Sequence, residues 1–218
     1  MGTRLMPLTA DRPKALVETG GESFFSRQLR LLEGIGVRDI VVVTGYKAEA
    51  FRPYAGRPGL RFVHNDHFHD RNNLWSMHLV REELRDCLVL EGDVWIGDGV
   101  LPTQAPSRSS WFVGWREDMR NEWAVRTNAA DRVLRIDVCS GSDWILSGIS
   151  YWTAEAGSLI DRRIAARVEQ AGMEEMFWDE IPRSSLADIE VGAIRLGPGG
   201  WTEVDTLEDR QRLEASLG

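Results

Sequence analysis

The chain has 218 residues, 43% of them hydrophobic, and a formal net charge of -8. That apolar content suffices for one sizeable core, and no run of roughly 18 apolar residues is present to cross a bilayer as a helix. The acidic balance argues against polyanionic partners, so neither nucleic-acid binding nor membrane insertion is expected.

The opening residues, MGTRLMPLTADRPKALVE, carry Arg4, Arg12 and Lys14 with no apolar leader, which reads as a cytoplasmic protein. Gly2 and Thr3 offer backbone and hydroxyl donors, and with Arg4 and Lys14 they could hold a polyphosphate. A solvated terminus would carry the same charges. Among 26 basic residues only Lys14 and Lys47 are Lys, and where Arg is the default a retained compact ammonium suits a point contact to phosphate. Phosphate loops normally hang from a strand, so a first strand is expected to precede the sequence as given.

ESFFSRQLRLLEGIG at 22–36 sets Phe24, Phe25, Gln28, Leu29, Leu31 and Leu32 at helical spacing and stops at glycines. DIVVVTGY and LRFVHN read as short buried strands. HNDHFHD at 64–70 gathers His64, His67 and His69 with Asp66 and Asp70. It lacks a second half at ligand spacing, and a polar loop is the simpler reading than zinc. Asn72 or Asn73 caps a helix through LWSMHLVREEL, and DCLVLEGDVWI is a third strand with an acidic turn at its end. Alternating strand and helix predict an α/β fold: a mixed, mostly parallel, Rossmann-like sheet with helices on both faces.

After residue 108 the pattern becomes SWFVGWRE, EWAVRTNAADRVLRIDV and SGISYWT, read as antiparallel hairpins around the Asn128 to Asp131 turn. A helix follows over about 155–171, then the strand IEVGAIRL and a last helix whose start has Thr206 and Asp209 in capping-box spacing. The whole reads as one domain with an inserted antiparallel β lid over about 108–182. Cys87 and Cys139 are isolated and read as reduced thiols.

Two groups of residues could carry chemistry. Glu91, Gly92 and Asp93 close an apolar strand, and Asp205 lies far downstream beside the last helix; carboxylates of this kind facing a phosphate loop would suit Mg²⁺. Singly, Asp93 reads as a turn residue and Asp205 as a cap. Glu122, Trp123, Trp152, Phe177, Trp178 and Asp179 collect aromatic faces and carboxylates, which would hold a quaternary ammonium or simply pack a lid.

GTRLMPLTADRPKAL, followed by a helix and DIVVVTGY, resembles the sugar-nucleotide pyrophosphorylase superfamily. NEW at 121–123, SGISYWT at 147–153, FWDEIP at 177–182 and EVDTLED at 203–209 resemble the phosphocholine cytidylyltransferases within it. The resemblance implies a GT-A-like nucleotidyltransferase fold and Mg²⁺-dependent transfer of CMP from CTP to phosphocholine or a similar amino-alcohol phosphate or phosphonate. It implies that Gly2, Thr3 and Arg4 hold the triphosphate, that Lys14 neutralises charge at the reacting phosphates, and that Asp93 and Asp205 hold the metal. Ser76 and Glu91 are further candidates for the nucleotide, Ser76 reading equally well as a helix-start hydroxyl. Phe177 stands where the family often has Tyr, which removes a hydroxyl from the acceptor site. A sugar-1-phosphate nucleotidyltransferase and a non-catalytic nucleotide-binding domain are the competing readings, and a homodimer is left open.

Overall fold

The computed structural model describes residues 3–217. In chain order the elements are β1 (Glu18–Thr19), β2 (Glu22–Ser23), α1 (Phe24–Gly34), β3 (Ile40–Thr44), β4 (Leu60–His64), α2 (Asn73–Leu79), β5 (Cys87–Leu90), β6 (Val94–Ile96), β7 (Ser109–Thr127), β8 (Val133–Trp152), α3 (Ala154–Arg167), α4 (Glu180–Ser184), β9 (Val191–Arg195), β10 (Trp201–Glu203) and α5 (Leu207–Leu217). Short 3₁₀ turns at Thr3–Leu5 and Lys14–Leu16 precede β1. Among the described residues no helix is long and apolar enough to cross a membrane.

The chain divides into two compact units. The first comprises residues up to 70, 91–104 and from 199 onward. Ser23 caps α1 by accepting from the Ser26 N–H at 3.1 Å. The amphipathic face of α1 then splits its two leading aromatics between two clusters: Phe24 packs with Leu5, Val17, Trp95, Val204 and Leu213, and Phe25 with Leu29 and Phe51. β3 and β4 pair in parallel from Ile40 opposite Leu60 to Thr44 opposite His64. β6 and β10 pair antiparallel, with Val94 opposite Glu203. The predicted capping box is present, Thr206 Oγ1 accepting from the Asp209 N–H at 3.1 Å and Asp209 Oδ2 from the Thr206 N–H at 2.9 Å.

The second unit comprises residues 71–90 and 105–198. Its sheet runs in the order β5-β8-β7-β9, with β9 parallel to β7 and the other pairs antiparallel. The three segments read as short antiparallel hairpins are two long strands. The Asn128 to Asp131 turn joins them as expected, but the chain does not reverse at Ser140 to Ser142. It runs through, absorbing register shifts around Met119 with left-handed backbone at Asp118, Asn121 and Gly141. This long hairpin makes the antiparallel share of the fold larger than the strand-helix alternation suggested. α3 covers the sheet through Ile160 and Ile164, both buried with Trp111, Trp152 and Trp178. Gly157 lets that helix approach closely, since a Cβ there would lie 1.9 Å from the Leu84 carbonyl oxygen.

Candidate active site

In the first unit, buried apolar residues aim charged neighbours at one place. Leu5 is fully buried beside Arg4, and Val204, the residue after β10, is fully buried between the half-buried Glu203 and Asp205. Val94 is buried beside Asp93, and the β6–β10 ladder ends with the Val204 N–H donating to the Asp93 carbonyl. Asp93, Glu203 and Asp205 thus offer carboxylate oxygens within 4.8 Å of one another, the only such group of acidic, His or Cys side chains among the described residues. Hard oxygen donors so spaced fit a small divalent cation.

Lys14 lies against this group, its Nζ donating to Asp93 Oδ2 at 2.7 Å and to Asp205 Oδ1 at 2.5 Å. Arg4 reaches Asp205 at 3.0 Å. Burial disfavours the Lys14 ammonium, but the two carboxylates outweigh it and hold its pKa above the ordinary lysine value. Burial likewise opposes ionisation of Asp205. Lys14 and then Arg4 overcome it and keep the carboxyl below its usual range. Gln28, recorded in the sequence only as a position on the α1 face, donates from one buried amide to the Glu91 and Val94 carbonyls at 2.8 and 2.9 Å. It fixes the acidic turn to the helix. The signal was a buried polar residue on an apolar face. Glu203 was also missed; alternation about Val204 was its signal.

Of the remaining nucleotide candidates, Gly2 lies outside the described residues, and Thr3 opens the first 3₁₀ turn. Glu91 contributes its carbonyl to the Gln28 bond, and Ser76 is half-buried on α2. Asn72 is the N-cap of that helix. His64 ends β4 and lies 3.5 Å from Asp66, while His67 and His69 both contact Asp70 at 3.2 and 3.5 Å.

In the second unit the six acceptor candidates separate into two layers. Trp152 is fully buried, meets Trp111 edge to face at 5.4 Å and Trp178 at 6.0 Å, and donates its indole N–H to Ser150 Oγ at 2.9 Å. Trp178 is also buried, and its backbone N–H donates to Asn73 Oδ1. These two rings are core residues and offer no open face. Trp123 is half-buried and meets Phe177, which is 50% exposed, edge to face at 6.2 Å. Glu122 is half-buried with Arg116 at 3.9 Å. Asp179 accepts from Trp111 Nε1 at 3.3 Å, and burial pushes its carboxyl up to about 7 against that bond.

Arg4 and Lys14 thus stand against a cluster of three carboxylates. Residues 1–98 fit the MobA-like NTP transferase domain. The choline-phosphate cytidylyltransferase of Streptococcus pneumoniae is 31% identical over 217 residues, covering all of this chain and 94% of that one. The chain belongs to the cytidylyltransferase family of nucleotidyltransferases. A solved CTP:phosphocholine cytidylyltransferase from S. pneumoniae superposes with a TM-score of 0.95 at 32% identity, over all of this chain and 95% of that one. The 2-aminoethylphosphonate cytidylyltransferase of Lancefieldella rimae is 26% identical over 96% of this chain and 86% of its own. The expected GT-A-like α/β fold with a mixed sheet is therefore the fold of this cytidylyltransferase-family chain, and the chain is an enzyme. The reading as a non-catalytic domain falls.

Proposed function

We propose that this enzyme transfers CMP from CTP to phosphocholine, or to an amino-alcohol phosphate or phosphonate of similar size. An oxygen of the acceptor phosphate attacks the α-phosphorus of CTP. The bond from that phosphorus to the α,β-bridging oxygen breaks, and pyrophosphate leaves with the electron pair. No protein nucleophile is needed; positioning and neutralisation of charge carry the rate.

The first unit supplies those effects. Lys14 and Arg4 bring two cations to the carboxylate cluster, where they would meet the triphosphate, with Gly2 and Thr3 adding donors. Ser76 and Glu91 are assigned to orienting the nucleotide. Asp93 and Asp205, together with Glu203, would hold Mg²⁺, which when bound supplies Lewis-acid polarisation of phosphate oxygens.

The second unit supplies acceptor choice. The observation that carries the reading is the half-open Trp123–Phe177 pair, with the Asp179 carboxyl two residues along the chain from Phe177. A quaternary ammonium is weakly hydrated and is favoured by aromatic faces with a carboxylate nearby, whereas a sugar would call for several amide and carboxylate partners to its hydroxyls. Glu122 adds negative charge, and Trp152 and Trp178 hold the layer beneath. The test is pyrophosphate release from CTP, UTP, dTTP and GTP in Mg²⁺, each against phosphocholine, phosphoethanolamine, 2-aminoethylphosphonate and glucose-1-phosphate. Turnover of CTP with the cationic acceptors is expected; turnover with glucose-1-phosphate alone refutes the proposal.

A further inference from the structure

Arg183 lies one helical turn after Asp179, at the end of α4, and its backbone N–H donates to the Asp179 carbonyl at 3.0 Å. A guanidinium and a carboxylate so spaced on one turn ordinarily pair. Here they rest on different indoles: Asp179 takes the Trp111 N–H, and the Arg183 guanidinium carbon stands 5.2 Å over the Trp123 ring. Among the described residues Arg183 makes no ion pair and no side-chain hydrogen bond, although it is half-buried. Most arginines in acidic surroundings of this chain are tied to a carboxylate, as Arg126 is to Asp137 and Asp143. Arg183 is left with a planar fork of donors beside the aromatic pair.

We infer that Arg183 binds the phosphate or phosphonate group of the acceptor, so that Asp179 and Arg183 form a matched anion and cation for a zwitterion. The inference rests on the acceptor reading above. A guanidinium can stack on an indole and still present its edge to phosphate oxygens in a bidentate bond, a combination that lysine does not reproduce. Keeping the two charges on separate rings preserves both for the ligand. The arrangement selects for acceptors that carry both charges, against free amino alcohols at one end and neutral-headed phosphates at the other.

The test is calorimetric titration of the full chain, with a non-hydrolysable CTP analogue present, by phosphocholine, free choline and 3,3-dimethylbutyl phosphate. Arg183→Gln is expected to weaken phosphocholine and the neutral-headed phosphate alike by about tenfold or more and to leave choline within about twofold. Arg183→Lys should recover part of the loss. Equal weakening of choline would show that Arg183 merely packs Trp123, and unchanged phosphocholine affinity would show that it contributes nothing; either overturns the inference alone. Wild-type protein that binds neither phosphocholine nor 2-aminoethylphosphonate overturns the acceptor reading with it.

Discussion

Replacing Asp179 by Asn should make the protein more stable and a poorer binder of cationic acceptors. Asn keeps the volume and an oxygen that can accept the Trp111 N–H, so packing and the 3.3 Å bond are preserved while the charge goes. Burial lifts the carboxyl from 3.8 to about 7. An acid whose pKa is raised by folding stabilises the fold fully below its unfolded value, and that contribution is lost as pH rises to the folded value. At 1.36 kcal/mol per pH decade the loss is about 4 kcal/mol at most by pH 8, of which about 2 falls above pH 5.5. Water reaching a half-buried group screens part of this, leaving a gain of about 1 kcal/mol or more for the variant. Urea denaturation of both proteins at pH 5.5 and pH 8 measures it. The stability advantage of Asp179→Asn should widen with pH while phosphocholine affinity drops. An advantage that does not change with pH would refute the claim that the carboxylate is held at a cost.

Lys14→Ala should lower turnover at least tenfold, equivalent to about 1.4 kcal/mol of transition-state stabilisation, in a steady-state pyrophosphate assay; an unchanged rate would mean that Lys14 plays no part at the phosphates. Trp123→Leu should raise the Michaelis constant for phosphocholine by an amount worth about 1 to 2 kcal/mol and spare that for CTP. Trp152→Ala should instead lower stability by about 3 to 5 kcal/mol, since it empties a fully buried site, and thermal unfolding separates the two behaviours. Gln28→Ala leaves two backbone carbonyls without their donor and should cost about 1 to 3 kcal/mol; a melting curve like that of wild type would show that water replaces the amide.

Helix faces and caps were readable because they depend on local spacing: α1, the Asn72 cap and the Thr206 capping box all follow from residues within one turn of each other. Arg4 and Lys14 stand out in the sequence by their charge, and the structure adds the carboxylates that they face. Glu203 was not, because its place depends on β6 pairing with β10 across about a hundred residues, a contact no local pattern encodes. Trp123 and Trp152 looked equivalent in sequence. Their difference arises from packing: Trp111, Trp178 and α3 bury Trp152, whereas Trp123 pairs with the exposed Phe177. Ser140 to Ser142 has turn composition, yet the hairpin continues because paired strands on both sides leave a bulge as the smaller disruption.

The interleaving of Glu203, Val204 and Asp205 has a consequence for how the enzyme fails. A slip of one residue between β10 and β6 would press two carboxylates into the core and put Val204 in water. Each misplacement is costly, so the misregistered chain is unstable as well as inactive. The proposed metal ligands and a core residue sit side by side where β10 ends. Chains that escape this check should be lost to unfolding and degradation, and the surviving population should be uniformly active, with no stable fraction of folded but inactive enzyme.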